Sequence, residues 1–541
     1  DIYPGTEIGD SQRIQKTIYY PLLDTSATVM RPSARKIGFL SSSWLALLLL
    51  LLGVAVVGGP SAWAQDQSIT SDTTYTSDQT WSGEVEVTAD VTVDEGITLT
   101  VESGTVVELE GASVIIQGAL DAEGAEGNEV TFTSATGDKS AGDWKQIRFN
   151  DTSGEPESTI KHVEIKYATT GIQIEGVPKA NEIEVVDATI TDVSSRGVQV
   201  TGGGARLERV TVQDFENDGI YVNGSEAEVD IEEATIQQER SAQVETGSGI
   251  LVRDGAEVNV QGSTIRRASS GIYLRNTNLN HAPQSVTVLE TVLTENVHGV
   301  RVNPDNYGGG DSGTKFPEHL EVTGNDIYDN SAWNVRFDSG GGGASPRERE
   351  FNFRENWWGT TDGVEIAESI RDYSDNSSVA FVDYLPFLDG SPEEGGEPTS
   401  ENYIAGWIEN SRTLSQGEGP YDVIGRTVLK GQVELSVKPD TEIIIRRNIE
   451  PDEEAQLTVA EGALLRFVNE GIRMRGDSKF QVEGTEDKPV RFTSAAASQS
   501  PGDWNGIHFG NGTEGSIQYS EIEYATTGIQ IEGVPKANEI E

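Results

Sequence analysis

The chain has 541 residues and a formal net charge of −50, because Asp and Glu number 89 against 39 for Lys and Arg. That balance excludes nucleic acid and anionic lipid as partners, since both attract basic surfaces. Cysteine is absent, which excludes disulfides, thiol nucleophiles and Cys-ligated metals.

The first recognisable element is a long apolar run at 37–57. Three basic residues lie just before it at 31–36, and a small-x-small motif, Ala-Trp-Ala, follows at 62–64. A basic start, an apolar centre and such a motif are typical of a secretory signal peptide. An uncleaved membrane anchor is the alternative, because the run is almost long enough to span a bilayer.

We therefore predict a signal peptide at 30–64, cleaved after Ala64. The mature protein is expected to be secreted or held at the cell surface, with no membrane attachment after cleavage. Residues 1–29 precede Met30 and are predicted to be an artefact or a disordered upstream segment.

From residue 85 onward, apolar residues alternate with polar ones, a pattern typical of strands with one face in a core. A Gly-Ile/Val-x-apolar motif also recurs every 22 to 30 residues. Repeats of this length indicate a solenoid whose stacked units share a core, whereas propeller blades repeat at about 40–50 residues. The motif glycines are Gly171, Gly197, Gly219, Gly249, Gly271 and Gly299.

These motifs resemble the right-handed parallel β-helix proteins of the pectin-lyase-like superfamily, in the form that bacteria export. The resemblance is carried by an early coil at 130–149, by the glycine ladder, and by a closing Asn-Trp-Trp-Gly at 356–359. It implies an all-β, right-handed parallel β-helix at 65–388, with a saccharide groove on one sheet and its flanking loops. It does not imply one activity, because the fold hosts lyases, hydrolases, epimerases and non-enzymes.

The sequence pattern of the early coils starts again after residue 402. Residues 389–402 are rich in Gly, Pro, Ser and Glu, and we predict an acidic linker there. Residues 524–541 are identical to residues 167–184 over all 18 positions, which indicates duplication. A second β-helix is predicted at 403–541, and it is truncated because it lacks the Asn-Trp-Trp-Gly closure.

In the Gly-Ile-x-Val motif, x points outward because side chains alternate along a strand. The outward positions collect Tyr and Arg, which suit sugar faces and carboxylate or sulfate groups respectively. The alternative is a structural role, in which outward side chains stabilise one another across strands. The candidate glycan-binding residues are Tyr221, Tyr273, Arg253, Arg275, Arg301 and Arg336.

No catalytic residue is predicted. Asp218 and His298 both precede a motif glycine, but three coils at about 4.8 Å each separate them by roughly 14 Å, too far for cooperation. Asp218 and Asp254 remain possible isolated acids. The Arg-x-Pro-x-x-Arg pattern of pectate lyases and the Asn-Thr-Asp pattern of polygalacturonases are absent from the sequence.

No metal or cofactor is expected either, because the five His residues have no metal-ligand spacing. Asp305 and Asp311, in a Gly-rich loop, carry oxygen ligands of the kind that Ca²⁺ takes, but they do not follow the EF-hand order. Asp143 and Asp503 each precede a Trp, and we interpret them as turn caps beside a packed ring.

The expected function is that of an extracellular scaffold, adhesion or glycan-binding protein. The alternative is a polysaccharide lyase or glycoside hydrolase acting on an extracellular polysaccharide. The expected partner is such a polysaccharide or a component of the cell surface. The large acid excess also predicts a halophilic source, because molar salt shortens the Debye length to about 3 Å.

Overall fold

The computed structural model describes most of the chain between 67 and 533. The segments within that span that it does not describe are 151–156, 178–181, 240–246, 276–283, 305–315, 339–348, 400–401 and residue 418. The predicted signal peptide and the segment before it therefore lie outside the described residues. Among the residues that are described, no helix is long and apolar enough to cross a membrane.

Short strands account for nearly all of the regular structure. Strands β1 to β12 are Gln67–Ile69, Thr73–Tyr75, Gln79–Trp81, Glu84–Val87, Val91–Val93, Thr98–Val101, Val106–Leu109, Ser113–Ile116, Ala119–Glu123, Val130–Ser134, Gln146–Asn150 and Thr159–Lys161. Strands β13 to β24 are Val163–Lys166, Thr170–Glu175, Ile183–Val186, Thr189–Val193, Arg196–Thr201, Gly203–Glu208, Thr211–Phe215, Asp218–Asn223, Ala227–Glu232, Thr235–Gln237, Ser248–Arg253 and Glu257–Gln261.

The later coils add an α-helix and further short strands. Strands β25 to β36 are Thr264–Arg266, Ser270–Arg275, Ser285–Leu289, Val292–Thr294, His298–Asn303, His319–Thr323, Asp326–Tyr328, Trp333–Phe337, Glu350–Asn352, Ile370–Arg371, Phe381–Asp383 and Phe387–Leu388. Helix α1, Gly363–Glu368, lies between β33 and β34, and a 3-10 turn spans Pro392–Glu394. Strands β37 to β52 are Pro398–Thr399, Tyr403–Ile408, Arg412–Leu414, Tyr421–Leu429, Glu434–Val437, Glu442–Ile445, Ile449–Pro451, Gln456–Ala460, Leu464–Phe467, Ile472–Met474, Lys479–Glu483, Val490–Ser494, Ile507–Phe509, Glu514–Gln518, Ser520–Ile522 and Ile529–Ile531.

Each coil of the first part contributes one strand to each of three parallel sheets. Sheet A runs β1-β4-β7 and onward in steps of three to β31, and sheet C runs β3-β6-β9 to β33 and then β35. Sheet B runs β2-β5-β8 to β32 and then β34. Parallel strands in successive coils lie about 4.8 Å apart, so side chains at equivalent positions form columns along each sheet. These sheets confirm the predicted parallel β-helix.

Inward residues of all three sheets form the core, and those of the glycine ladder form its column on sheet B. Ile172, Val198, Ile220 and Ile272 have no exposed surface, and the first three lie opposite one another in successive strands of sheet B. This arrangement confirms the predicted inward face. One coil alone buries little apolar surface, and therefore the stack is stabilised as a whole.

Buried asparagines fix the register of the coils at one turn. Asn325 Oδ1 accepts the Thr291 N–H at 2.9 Å, and Asn356 Oδ1 accepts the Asn325 N–H at 2.9 Å. Both asparagines are fully buried. The Asn356 of the predicted closing motif is thus a bridge between coils, since buried polar groups need hydrogen-bond partners.

The interpretation of Asp143 and Asp503 as turn caps is confirmed. Asp143 accepts the Ser140 N–H at 2.8 Å, and Asp503 accepts the Ser500 N–H at 3.0 Å. The Trp that follows each one, Trp504 for example, is buried and donates its indole N–H to a backbone carbonyl of the next coil.

The later coils form two further sheets. Sheet D runs β51-β48-β45-β42-β40-β43-β46-β49-β52, and sheet E runs β39-β41-β44-β47-β50. The long strand β40 pairs with β42 through Tyr421 to Val423 and with β43 through Thr427 to Leu429. The two halves of β40 therefore belong to two different sides of the coil.

The later coils pack against the last coils of the first set. Ile424 of β40 belongs to the core of the first set, and Trp407 of β38 lies edge-on to Phe381 at 6.0 Å between ring centroids. The Trp407 backbone N–H donates to Glu350 Oε1 at 3.0 Å. The chain between them forms a short antiparallel pair, β36 with β37.

Candidate site on the outer face of sheet B

All six predicted glycan-binding residues lie on sheet B, in two neighbouring columns. In the first column, Tyr221, Leu251, Tyr273, Arg301 and Arg336 lie opposite one another on β20, β23, β26, β29 and β32. In the second column, Arg253 and Arg275 lie opposite each other on β23 and β26. The fold therefore brings these side chains to one face.

Tyr221 is covered by its neighbours. Only 7% of the residue is exposed, and the guanidinium carbon of Arg196 lies 3.8 Å from the centre of its ring. Arg253 Nη1 also donates to the Tyr221 hydroxyl at 3.2 Å. A sugar ring would therefore have to displace Arg196 before it could stack on Tyr221.

Tyr273 is more open. Its side chain is half-buried, and the Arg301 guanidinium carbon lies 4.8 Å from the ring centre. Asn303 Nδ2 donates to its hydroxyl at 3.3 Å. The ring is held in place by these contacts, and part of it still faces water.

Two arginines share one carboxylate at the end of the face. Arg301 Nε donates to Asp338 Oδ2 at 2.7 Å, and Arg336 Nε donates to Asp338 Oδ1 at 2.6 Å. Two positive charges therefore meet one negative charge. Because guanidinium groups have five donors each, both retain N–H groups for a ligand.

His298 lies beside these arginines and is held neutral. Its Nε2 is 3.4 Å from Arg336 Nη1, and the residue is buried. Burial, together with the charges of Arg336 and Arg301, lowers the pKa of His298 to about 4. The imidazole thus carries no charge near neutral pH.

The carboxylate of Asp218 is held by hydrogen bonds to its neighbours. Its Oδ2 accepts from Arg196 Nε at 3.3 Å and its Oδ1 accepts the Ser248 N–H at 3.3 Å. Burial raises the pKa of Asp218, although Arg196 acts in the opposite direction. Asp218 is on β20 and His298 on β29, three coils further along, so the structure does not bring these two groups together. Asp254 is buried beside Arg253.

Among the described residues, no group of three or more His, Asp or Glu side chains is placed to hold a metal ion. Asp305 and Asp311 lie in the 305–315 segment, outside the part that the structure describes.

Two further residues contribute to this face, Arg196 and Asp338, although sequence reasoning does not count them among the candidate binding residues. Each has a signal in the chain: Arg196 directly precedes a motif glycine, and Asp338 follows the degenerate copy Asn-Val-Arg-Phe. Sequence reasoning missed that the motif recurs as Gly-Ile-Arg-Met and Gly-Ile-His-Phe, beginning at Gly471 and Gly506, ahead of the copy at Gly528 that lies in the repeated stretch 524–541.

Comparison with known families agrees with this architecture. Residues 170–357 match the family model described as a right handed beta helix region. The match covers the coils that carry the candidate face, and the fold of this part is a right-handed parallel β-helix. No curated protein matches the chain.

Proposed function

We propose that the protein is an exported β-helix that binds an acidic extracellular polysaccharide along the outer face of sheet B, in a structural or adhesive role without catalysis. The observation that carries the proposal is the pair Arg301 and Arg336 on a single carboxylate, Asp338. In a chain of charge −50, this local excess of positive charge favours an anionic ligand.

The spacing of the aromatic ring and the guanidinium groups also suits a sugar chain. Tyr273 lies one coil from Arg301 and two coils from Arg336, so roughly 5 to 10 Å separate the ring from the guanidinium groups. A sugar ring on Tyr273 would thus place a carboxylate of the next unit within reach of either arginine. Guanidinium forks pair with carboxylates through two parallel hydrogen bonds.

Binding is favoured over hydrolysis by the positions of the acids in the described coils. Glycoside hydrolysis needs two carboxyl groups about 5–9.5 Å apart beside the scissile bond. On this face Asp218 is engaged by Arg196, and Asp338 is engaged by two arginines. The export part of the proposal is supported by the predicted signal peptide alone.

The test is a calorimetric titration of the full chain with a hexasaccharide of a polyuronate and with a neutral glucan hexasaccharide. The double variant Arg301→Ala, Arg336→Ala is expected to bind the acidic hexasaccharide at least about tenfold more weakly, because hydrogen bonds to charged groups are lost.

The control is Arg209→Ala with Arg267→Ala, which removes the same charge. These arginines lie at turns and pair with Asp187 and Glu295. The control should bind within about twofold of the unmodified chain. Equal loss in both double variants, or equal binding of the neutral hexasaccharide, would contradict the proposal.

A further inference from the structure

A second polar face lies on the later coils, where the Gly-Ile-x-apolar motif recurs at 471–474, 506–509 and 528–531. Its strands β46, β49 and β52 are neighbours in sheet D. Their x positions point away from the core, as in the earlier ladder. The residues that lie opposite one another at these positions are Arg473, His508 and Gln530.

This face lines a cleft of about 710 Å³, within the range of about 300–1,000 Å³ that is typical of small-ligand sites. Polar groups of several kinds surround it, and glycine backbone at Gly471, Gly506 and Gly510 leaves room between them. The polar side chains that line it include Arg473, Arg475, His508, Gln530 and Glu532.

Arg473 differs from the arginine beside it. Arg475 Nε lies 3.3 Å from Oε2 of the fully buried Glu450, a carboxylate that Arg426 also contacts, so Arg475 is held towards the core. Arg473 is exposed, and within the described part of the chain it forms no ion pair. Its guanidinium group is therefore placed to meet an anion from solution.

At the other end of the cleft, side chains can form hydrogen bonds with hydroxyl groups. Gln530 Nε2 donates to Glu532 Oε1 at 2.5 Å, and Glu532 Oε2 lies 3.5 Å from His508 Nε2. Gln530 is two coils from Arg473, roughly 10 Å away. The cleft thus offers a cation at one end and both donors and acceptors at the other.

The same Gln and Glu occur in the early coils, where Gln173 Nε2 donates to Glu175. The neighbours of Gln173 in register there are Arg148 and, one coil further, Ile115. An Ile thus stands in the early coils where the later coils have Arg473. The exposed guanidinium group of Arg473 therefore has no counterpart at this position of the early coils.

We infer that this cleft is a second binding site for an acidic polysaccharide, with a sugar carboxylate on Arg473 and ring hydroxyls on Gln530 and Glu532. The inference rests on the proposed function and extends it to sheet D. Two sites on one chain would increase the avidity for a long polymer, provided that both can be engaged at once.

The experiment is a calorimetric titration of the full chain with the polyuronate hexasaccharide, which gives stoichiometry as well as affinity. The unmodified chain is expected to bind two hexasaccharides. Arg473→Ala should remove one of them or weaken it at least about tenfold. Lys479→Ala is the control, because Lys479 is an exposed cation on neighbouring β47 that pairs with Glu514. Melting curves show whether each variant remains folded.

The outcomes separate the two sites. If Arg473→Ala binds like the unmodified chain while Arg301→Ala with Arg336→Ala loses binding, the second site is wrong and the proposed function stands. If Arg473→Ala alone loses binding, the cleft is supported and the sheet B site is wrong. An equal effect of Lys479→Ala, or no binding by any form, overturns the cleft.

Discussion

Tyr221 and Tyr273 occupy the same column of sheet B, but their surroundings give them different roles. Tyr221 is buried beneath Arg196, whereas Tyr273 is half-buried and keeps part of its ring open. A buried ring contributes to stability through its packing and its cation–π contact. An open ring beside guanidinium groups is available to a ligand.

We therefore predict opposite results for the two alanine variants. Tyr221→Ala should lower the unfolding free energy by about 2–4 kcal/mol, because it removes a buried aromatic side chain. Tyr273→Ala should leave melting nearly unchanged and weaken binding of the polyuronate hexasaccharide by about tenfold. Calorimetric melting and titration of both variants measure this; a large loss of stability in Tyr273→Ala would contradict it.

The sequence is sufficient to place these residues in columns but insufficient to determine their exposure. The Gly-Ile-x-Val period predicts the register, since each motif adds one coil. The side chain that covers Tyr221 comes from the coil before it, Arg196, at the position that precedes the motif glycine. Which way that long side chain turns depends on Asp218, to which it is bonded, and not on periodicity.

Among the secondary-structure elements, the junction of β33 with β38 contains a half-buried acid, Glu350. Glu350 of β33 accepts the Trp407 N–H of β38 at 3.0 Å. Asp383 of β35 and Glu409 also face it and disfavour its charge, whereas Arg354 favours it. Burial, with Asp383 as the next cause, raises the pKa of Glu350 to about 8.

The raised pKa predicts how stability depends on pH. Between pH 4.5 and about 8, the folded chain keeps the proton on Glu350 and the unfolded chain releases it. Stability should therefore fall as pH rises through this window, by at most about 1.4 kcal/mol per pH unit. Glu350→Gln retains the acceptor oxygen and has no charge, so its advantage over the unmodified chain should grow up to about pH 8 and then level off.

Calorimetric melting between pH 5 and pH 9 measures this difference. Glu257→Gln is the control, because Glu257 is exposed on β24 of the same sheet. Only a pH dependence larger than that of the control supports the raised pKa of Glu350. A pH-independent difference for Glu350→Gln would mean that Glu350 is ionised in the folded protein.

The junction also shows what composition alone leaves undetermined. The Gly, Pro, Ser and Glu content of 389–402 predicts a linker, yet Ser391 donates to Asp326 at 2.8 Å and β37 pairs with β36. These contacts depend on where the preceding coils end. Helix α1 is different, because Asp362 caps it locally by accepting the Val364 N–H, and its apolar spacing is visible in the sequence.

At the scale of the whole chain, the net charge of −50 dominates the electrostatic free energy of folding. Like charges repel one another more in the compact state than in the extended one, and this repulsion lowers stability. We predict that the melting temperature rises by several degrees between no added salt and about 1 M sodium chloride, where the Debye length is about 3 Å.

Differential scanning calorimetry of the full chain measures this effect. Chloride is preferable to sulfate, because sulfate also strengthens apolar burial through its exclusion from the surface. Equal melting temperatures in the two solutions would show that the acids do not destabilise the fold, and the expectation of a halophilic source would lose its physical basis.

A crystal structure of the full chain with the polyuronate hexasaccharide tests the proposed binding site on the outer face of sheet B most directly. We predict a sugar carboxylate within hydrogen-bonding distance, about 3 Å, of Arg301 or Arg336, with a sugar ring against Tyr273. Coils stacked as described but with this face empty, and the sugar bound elsewhere, would contradict the account.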